Sequence, residues 1–238
     1  MIPPTGYNSL KSYKAIFLDW DDTIGDFHNA ELLALKDIYL DYDLHRLYAT
    51  FKEYYAVYHP NNLELWDKYG RSEVTKEELE FQRFYFPMRL LTDAHKTAPR
   101  IAKDFLRLTT HYFSLLPDSE EVVRYLANRY PLTIVSNGFV EVQYEKVRRS
   151  GLQDCFRHIV LSEEVGWQKP NPIIFREALS RNGLEAEEVL MIGDSYSSDI
   201  QGARNAGIDQ LWITAESPDA ARPVTYRVSC LRDVMGFL

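Results

Sequence analysis

The sequence predicts an α/β protein: a parallel sheet covered by helices on both faces, forming a three-layer core, with an all-helical insert after the first strand. Three observations carry this prediction. A short apolar run, Ala15–Leu18, ends abruptly in Asp19-Trp20-Asp21-Asp22-Thr23. Residues from about 29 to 111 show helical periodicity and no convincing strand. From Pro117 onward, short apolar segments alternate with helix-period segments to the C-terminus, and such alternation implies right-handed crossovers and a parallel sheet.

Each element has its own signal. Residues 1–14, with Pro3-Pro4 and Gly6, read as an irregular leader without chemistry. The run 15–18 is apolar throughout, as a strand buried on both faces must be. In the insert, Tyr48, Phe51, Tyr55 and Tyr58 recur at i, i+3, i+7 and i+10 and predict one helical face. Thr75 with Glu78 predicts a capping box, opening a helix that carries Leu79, Phe84 and Phe86 until Pro87 interrupts it. Ile101, Phe105, Leu108 and Tyr112 form a further helical stripe. Beyond Pro117, Asp118 with Glu121 predicts a side-chain cap on a helix that buries Val122, Val123, Tyr125 and Leu126.

A strand follows at 132–135, ending in Ser136-Asn137-Gly138, and then a helix at 140–150 stopped by Gly151. Residues 158–161 form the next strand, and Asn171 before Pro172 starts a helix that Asn182-Gly183 ends. A strand at 189–192 runs into Gly193-Asp194-Ser195, a helix at 198–206 is closed by Gly207, and 210–213 is again a strand. A last strand near 226–228 and an amphipathic helix at 231–238 complete the chain.

In a parallel sheet the carboxyl ends of the strands share one edge, where ligands bind. That edge would gather residues 19–23, Ser136 and Asn137, and Asp194. Aspartates after a strand are also common turn formers, so the convergence, rather than the acid cluster alone, argues for a site. Carboxylates this close repel one another unless a cation sits among them, and oxygen ligands without nearby His or Cys favour a hard ion, Mg2+ before Zn2+.

The 238 residues, 45% of them hydrophobic, suffice for a sizeable core. A net charge of -8 with no basic face argues against a nucleic-acid polymer as partner, but leaves room for a small phosphorylated metabolite beside local cations. Cys155 and Cys230 have no metal-type spacing and read as free thiols of a reducing compartment. With no signal-like segment and no run of membrane-spanning length, the expectation is a soluble cytoplasmic monomer or homodimer.

Taken in order, DWDDT at 19–23, SNGF at 136–139, Lys169-Pro170 and GDSYSSD at 193–199 resemble the four motifs of the haloacid dehalogenase superfamily, over essentially the whole chain. The resemblance implies a Rossmann-like core at 1–27 and 112–238 and a helical cap at 28–111. It implies Asp19 as the nucleophile that forms an aspartyl-phosphate, and Asp21 as general acid and then general base. It also implies Asp19, the Asp21 backbone carbonyl and Asp194 as ligands of Mg2+, with Asp199 supporting them or adding a further ligand. Thr23, Ser136 and the backbone amides near Asn137 would hold the phosphoryl group, and Lys169 would supply positive charge. Dehalogenase-like and phosphonatase-like members lack an acid at the position of Asp21, so its presence favours phosphate monoesters.

SNGF, Gln143, Ser150-Gly151-Leu152, Phe156, Ser162-Glu163-Glu164-Val165-Gly166, Lys169-Pro170 and Ile174-Phe175 are together similar to the noncanonical 5'-nucleotidases with a helical cap. That branch implies nucleoside monophosphates as substrates. A sugar-phosphate phosphatase or phosphomutase carries the same four motifs and is the rival. A silent phospholigand- or partner-binding member is disfavoured, because Asp19 and Asp21 are both present. Gly25, where related proteins often carry a bulkier residue, implies a pliable connection to the cap. Tyr48, Tyr54, Tyr55, Tyr58, Trp66 and Tyr69 could stack on a base, but packing of the cap's own core is their default role.

Overall fold

The computed structural model describes residues 11–215 and 222–238. Most of the expected leader therefore lies outside the described residues. The strands are β1 Ala15–Leu18, β2 Leu132–Ser136, β3 Phe156–Leu161, β4 Val189–Gly193, β5 Asp209–Ile213 and β6 Tyr226–Val228. They form one parallel sheet in the order β3-β2-β1-β4-β5-β6. The chain leaves β1 toward β2 and β3, then returns to place β4 on the other side of β1. The order thus reverses beside β1, so a crevice opens at the carboxyl ends of β1 and β4.

Alternate residues of the strands feed two cores. Ile16, Leu18, Ile134, Leu190 and Ile192 pack with Val122, Leu126, Val147 and Val234. Phe17, Val135, Val160 and Met191 pack with Ile174, Phe175, Ala178 and Ala203. Period-two alternation in a sheet buried on both faces is what makes these strands apolar throughout.

Between β1 and β2 lie four long helices, α1 Phe27–Asp41, α2 Phe51–Gly70, α3 Lys76–Met88 and α4 Ala94–His111. They share their own core of Leu35, Ile38, Tyr54, Tyr58, Phe84, Ile101 and Phe105. The two chain segments that join this insert to the sheet are hydrogen-bonded to each other, Asp26 N to Ser114 O at 2.9 Å and Leu116 N to Ile24 O at 2.9 Å. A smaller cluster of Leu65, Tyr69, Leu79, Phe139 and Val142 seals the insert against the region after β2.

The remaining helices are α5 Ser119–Ala127, α6 Val140–Ser150, α7 Ser162–Val165, α8 Pro172–Asn182, α9 Gln201–Asn205 and α10 Val234–Phe237. The stop at Gly151, the Asn171-Pro172 start and the Gly183 end fall where the sequence puts them, and the Thr75–Glu78 capping box is present.

Other local expectations need correction. Helix α2 begins at Phe51, capped by Thr50, and its inward row is Tyr54, Tyr58, Asn62, Leu65 and Tyr69. Tyr48 precedes the helix and Tyr55 is half-buried, because the true stripe is set one residue over from the one the spacing suggested. Pro87 sits in the last turn of α3 rather than breaking it. Asp118 makes no side-chain cap; it adopts a left-handed φ of 65° and binds Arg232 at 2.9 Å instead. The C-terminal segment is a short 3-10 turn followed by a single turn of α-helix.

Gly25 reverses its expected role. A Cβ there would stand 2.8 Å from the Phe113 ring and 3.3 Å from the Trp20 indole nitrogen, and those two rings stack at 6.0 Å. Its amide bonds to Trp20 O at 2.9 Å and its carbonyl accepts from Asp22 at 2.7 Å. Glycine serves close packing at a pinned junction, not pliability.

Candidate active site

Strand β1 delivers Asp19 to the crevice, with its amide held by Ile192 O of β4 at 3.0 Å. The tight turn after it is closed by Asp22, which takes a left-handed φ of 61° and accepts from the His28 amide at 2.8 Å. Burial pushes the Asp22 carboxyl up from its ordinary value. The chain thereby presents Asp19, Asp21 and Asp22 to one cavity of about 240 Å³, together with Ser136, Asn137, Lys169 and Asp194.

Lys169 is almost fully buried, and its ammonium makes three hydrogen bonds: Asp19 Oδ1 at 2.5 Å, Asp199 Oδ1 at 2.6 Å and Val135 O at 2.8 Å. Burial alone would push this lysine down, but the charges of Asp19 and Asp199 outweigh it and hold the lysine above its ordinary value. Asn137 fixes its backbone from both sides, donating to Lys169 O at 2.9 Å and accepting from Lys169 N at 2.7 Å. The Asn137 side chain is therefore engaged with the Lys169 loop.

Asp19 is pushed up to about 7, first by burial and then by the Asp199 charge, with Lys169 pulling the other way. Asp194 is likewise pushed up to about 7 by burial and by the charge of Asp19. Asp199 is also raised by burial, against the pull of Lys169. Each of Asp19, Asp194 and Asp199 offers a carboxylate oxygen within 4.8 Å of the others. This set of hard oxygen donors, deprived of water and mutually repelling, fits a hard divalent cation. Gly193 makes the packing possible, since a Cβ there would meet the Asp199 carboxylate at 2.4 Å.

The carboxylate of Asp21 is outside that group. Its Oδ1 accepts from Lys146 Nζ at 2.9 Å and its Oδ2 from Gln143 Nε2 at 2.9 Å. Gln143 also donates to Ser136 Oγ at 2.7 Å, and the Gly138 amide donates to the same oxygen at 3.0 Å. With both donors facing its oxygen, Ser136 keeps its own proton for a ligand in the cavity. Thr23 differs: it is buried away from the cavity, donates to Asp194 Oδ1 at 2.9 Å and accepts from the Asp194 amide at 3.1 Å. Its hydroxyl also lies 3.4 Å from Asp19 Oδ2, so it bridges Asp194 and Asp19.

Lys146 was not legible as a site residue. It lies on α6, nearly fully buried, with its ammonium 4.6 Å from the Phe27 ring at the entrance to the insert. The available signal was a lysine one turn from Gln143, within the apolar row of Phe139, Val142 and Val147. Arg83 of α3 is a second residue missed, and it lines the cavity from the insert's side with Trp66, Phe105 and Leu106. Of the six aromatics considered for stacking on a base, Trp66 lines the cavity, whereas Tyr54 and Tyr58 are in the insert's core.

A parallel α/β sheet with a lysine-paired aspartate at the end of its first strand, and a second acid facing the same cavity, defines a carboxylate-centred enzyme. Residues 13–207 match the family model for haloacid dehalogenase-like hydrolases. The chain is 33% identical over 228 residues to the Escherichia coli pyrimidine 5'-nucleotidase YjjG, covering 94% of this chain and 96% of that protein. It is 30% identical over 216 residues to a glyceraldehyde 3-phosphate phosphatase of Methanothermobacter thermautotrophicus, covering 88% and 89% of the two chains. The crystal structure of the putative HAD-hydrolase YfnB from Bacillus subtilis, described as bound to magnesium, superposes with a TM-score of 0.82 at 29% identity, covering 96% of this chain and 99% of that one. The chain belongs to the haloacid dehalogenase-like hydrolase family and is an enzyme of the phosphatase kind.

Proposed function

We propose that this enzyme is a Mg2+-dependent phosphomonoesterase that works through an aspartyl-phosphate on Asp19, with nucleoside 5'-monophosphates as substrates. The observation that carries the reading is the convergence of Asp19, Asp21, Ser136, Lys169 and Asp194 on one cavity. Asp19, Asp194 and Asp199, with the Asp21 backbone carbonyl, are the groups that would hold the ion, which when bound offsets the negative charge of the phosphoryl group.

Asp19 attacks phosphorus while Lys169 offsets its charge, and the P–O bond to the leaving alcohol breaks. Asp21 gives its proton to the departing oxygen, then takes one from the water that cleaves the aspartyl-phosphate. Ser136 and the neighbouring amides donate to the phosphoryl oxygens. The insert serves as a cap at 28–111, and its Trp66, Phe105 and Leu106, with Phe27 just before it, wall the leaving-group end of the cavity. Those flat apolar walls favour a nucleobase over a bare sugar.

The relation to a glyceraldehyde 3-phosphate phosphatase supports a sugar-phosphate phosphatase as the second reading. The test is phosphate release from nucleoside monophosphates, sugar phosphates and an aryl phosphate, with and without Mg2+, against Asp19→Asn as blank. Mg2+-dependent release favouring nucleotides supports the proposal. Release confined to sugar phosphates moves the assignment to the second reading, and silence across the panel with metal bound overturns both.

A further inference from the structure

The leaving-group end of the cavity contains a cation that no catalytic step uses. Arg83 is 2% exposed, the one buried arginine among the described residues, and it lines the cavity together with Phe105, Leu106, Thr109 and Trp66. Its guanidinium sits over the Phe105 ring at 4.6 Å and the Phe84 ring at 5.1 Å. Among the described residues it meets no hydrogen-bond partner and no ion pair: Nε and Nη2 are buried and unpartnered.

Two carboxylates are close enough to feel its charge, and neither binds it. Glu31 accepts instead from Tyr58 at 3.3 Å and Asn62 at 3.2 Å, while Glu80 keeps one buried oxygen unpartnered. Each buried donor left without a partner destabilises the fold, and a buried charge without hydrogen bonds does so more strongly. A guanidinium held in this condition at the wall of a substrate cavity is suited to a group that arrives with the substrate.

The fork of the guanidinium restricts what that group can be. Two parallel N–H donors match a planar pair of acceptors, as on a carboxylate or on the O2/N3 edge of a cytosine ring. A lone hydroxyl satisfies one donor and leaves its neighbour bare. The same cavity is lined by Trp66 and Phe139, stacked on each other at 5.5 Å and 26°, a surface that suits a flat conjugated group.

We propose that Arg83 is a specificity-determining residue, whose guanidinium receives a planar two-acceptor edge at the far end of the leaving group. This deepens the phosphomonoesterase reading and rests on it. Substrates with that edge are held at both ends, by the acid cluster at the phosphate and by Arg83 at the other. Esters without the edge are held at the phosphate alone.

The experiment compares kcat/KM, with Mg2+ present, for cytidine 5'-monophosphate, O-phosphoserine and phenyl phosphate, in the parent enzyme and in Arg83→Lys and Arg83→Ala. The parent is expected to prefer one of the two acceptor-bearing esters over phenyl phosphate. Each variant should lower that preference at least tenfold, chiefly through KM, and guanidinium ion added to Arg83→Ala should restore part of it. Preference for cytidine 5'-monophosphate identifies a base edge, and preference for O-phosphoserine identifies a carboxylate.

Equal losses on all three esters, without rescue by guanidinium, would make Arg83 a packing residue and overturn the proposal. If the variants do not fold, the parent enzyme alone decides. Methylating N3 of the cytosine, or removing the carboxylate by using phosphoethanolamine, must lower kcat/KM at least tenfold for the preferred ester. No discrimination in either pair overturns the assignment while leaving the esterase reading intact. No turnover of any of the three esters with Mg2+ overturns both.

Discussion

Replacing Lys146 by Met should separate leaving-group protonation from the rest of the reaction. The ammonium stands 2.9 Å from Asp21 Oδ1, with side chains 3% and 25% exposed. At an effective dielectric of about 20, two unit charges at that distance attract by roughly 6 kcal/mol. Most of this is offset by the cost of taking both groups out of water. Removing one partner of a fully buried pair costs about 3–5 kcal/mol. Water can reach Asp21, so a loss of about 2 kcal/mol in stability is expected, a melting shift of several degrees.

The kinetic effect should be larger. Gln143 alone would hold Asp21 by one oxygen, and a positioned acid contributes about 10²–10⁴-fold. For an alkyl ester, whose leaving oxygen needs the proton, kcat should fall about 100-fold with little change in KM. For phenyl phosphate, whose phenolate leaves more readily, the fall should stay below about tenfold. Arg at the same position should recover part of the loss. An equal fall on both esters, or a raised KM at unchanged kcat, would refute the positioning role of Lys146.

Four further outcomes are expected. Burial and the neighbouring carboxylates push Asp19 and Asp194 up to about 7 in the folded protein, against an ordinary value of 3.8, so the folded state should bind more protons than the unfolded chain between those values. In chelator, their contribution to stability should be present below about pH 4 and be lost as pH rises to 7, and Asp194→Asn should flatten the slope; a slope unchanged by that substitution contradicts the electrostatics. Added Mg2+ should raise the melting temperature more at pH 7 than at pH 5, which thermal melts with and without chelator will read. Gly25→Ala should cost about 1–3 kcal/mol because its Cβ meets Phe113 at 2.8 Å, and denaturant unfolding will measure it; a neutral result would restore the pliable-linker reading. Asn137→Ala removes both side-chain bonds to the Lys169 backbone and should cost about 1–3 kcal/mol, with a fall in kcat as the Lys169 loop loosens.

The parallel sheet was legible because each of its signals is local. Apolar runs ending in Asp19 or Gly193, the Gly151 and Gly183 stops and the Asn171-Pro172 start all act within a few residues. The acid cluster was legible for the same reason, since Asp19, Asp21 and Asp22 are neighbours in the chain. What stayed hidden depends on tertiary approach. Gly25 looked like a hinge because Phe113, the ring that crowds it, comes from the far end of the insert. Lys146 and Arg83 belong to no motif, and only the fold turns them toward the cavity. Thr23 was legible as a site hydroxyl, but its contacts with Asp194, from the far end of the chain, are ones a motif cannot specify. On α2 the apolar density admits two adjacent faces, and only packing against Phe84 and Ile38 selects Tyr54 and Tyr58.

The central claim is that Asp19 carries the phosphoryl group during turnover. The direct measurement is to mix the enzyme with Mg2+ and a radiolabelled phosphate monoester, quench in acid within one turnover, and map the label by peptide mass spectrometry. The account predicts a labile acyl phosphate on the peptide containing Asp19, absent from Asp19→Asn. Label on another residue, or full turnover with no labelled intermediate at any quench time, would contradict it.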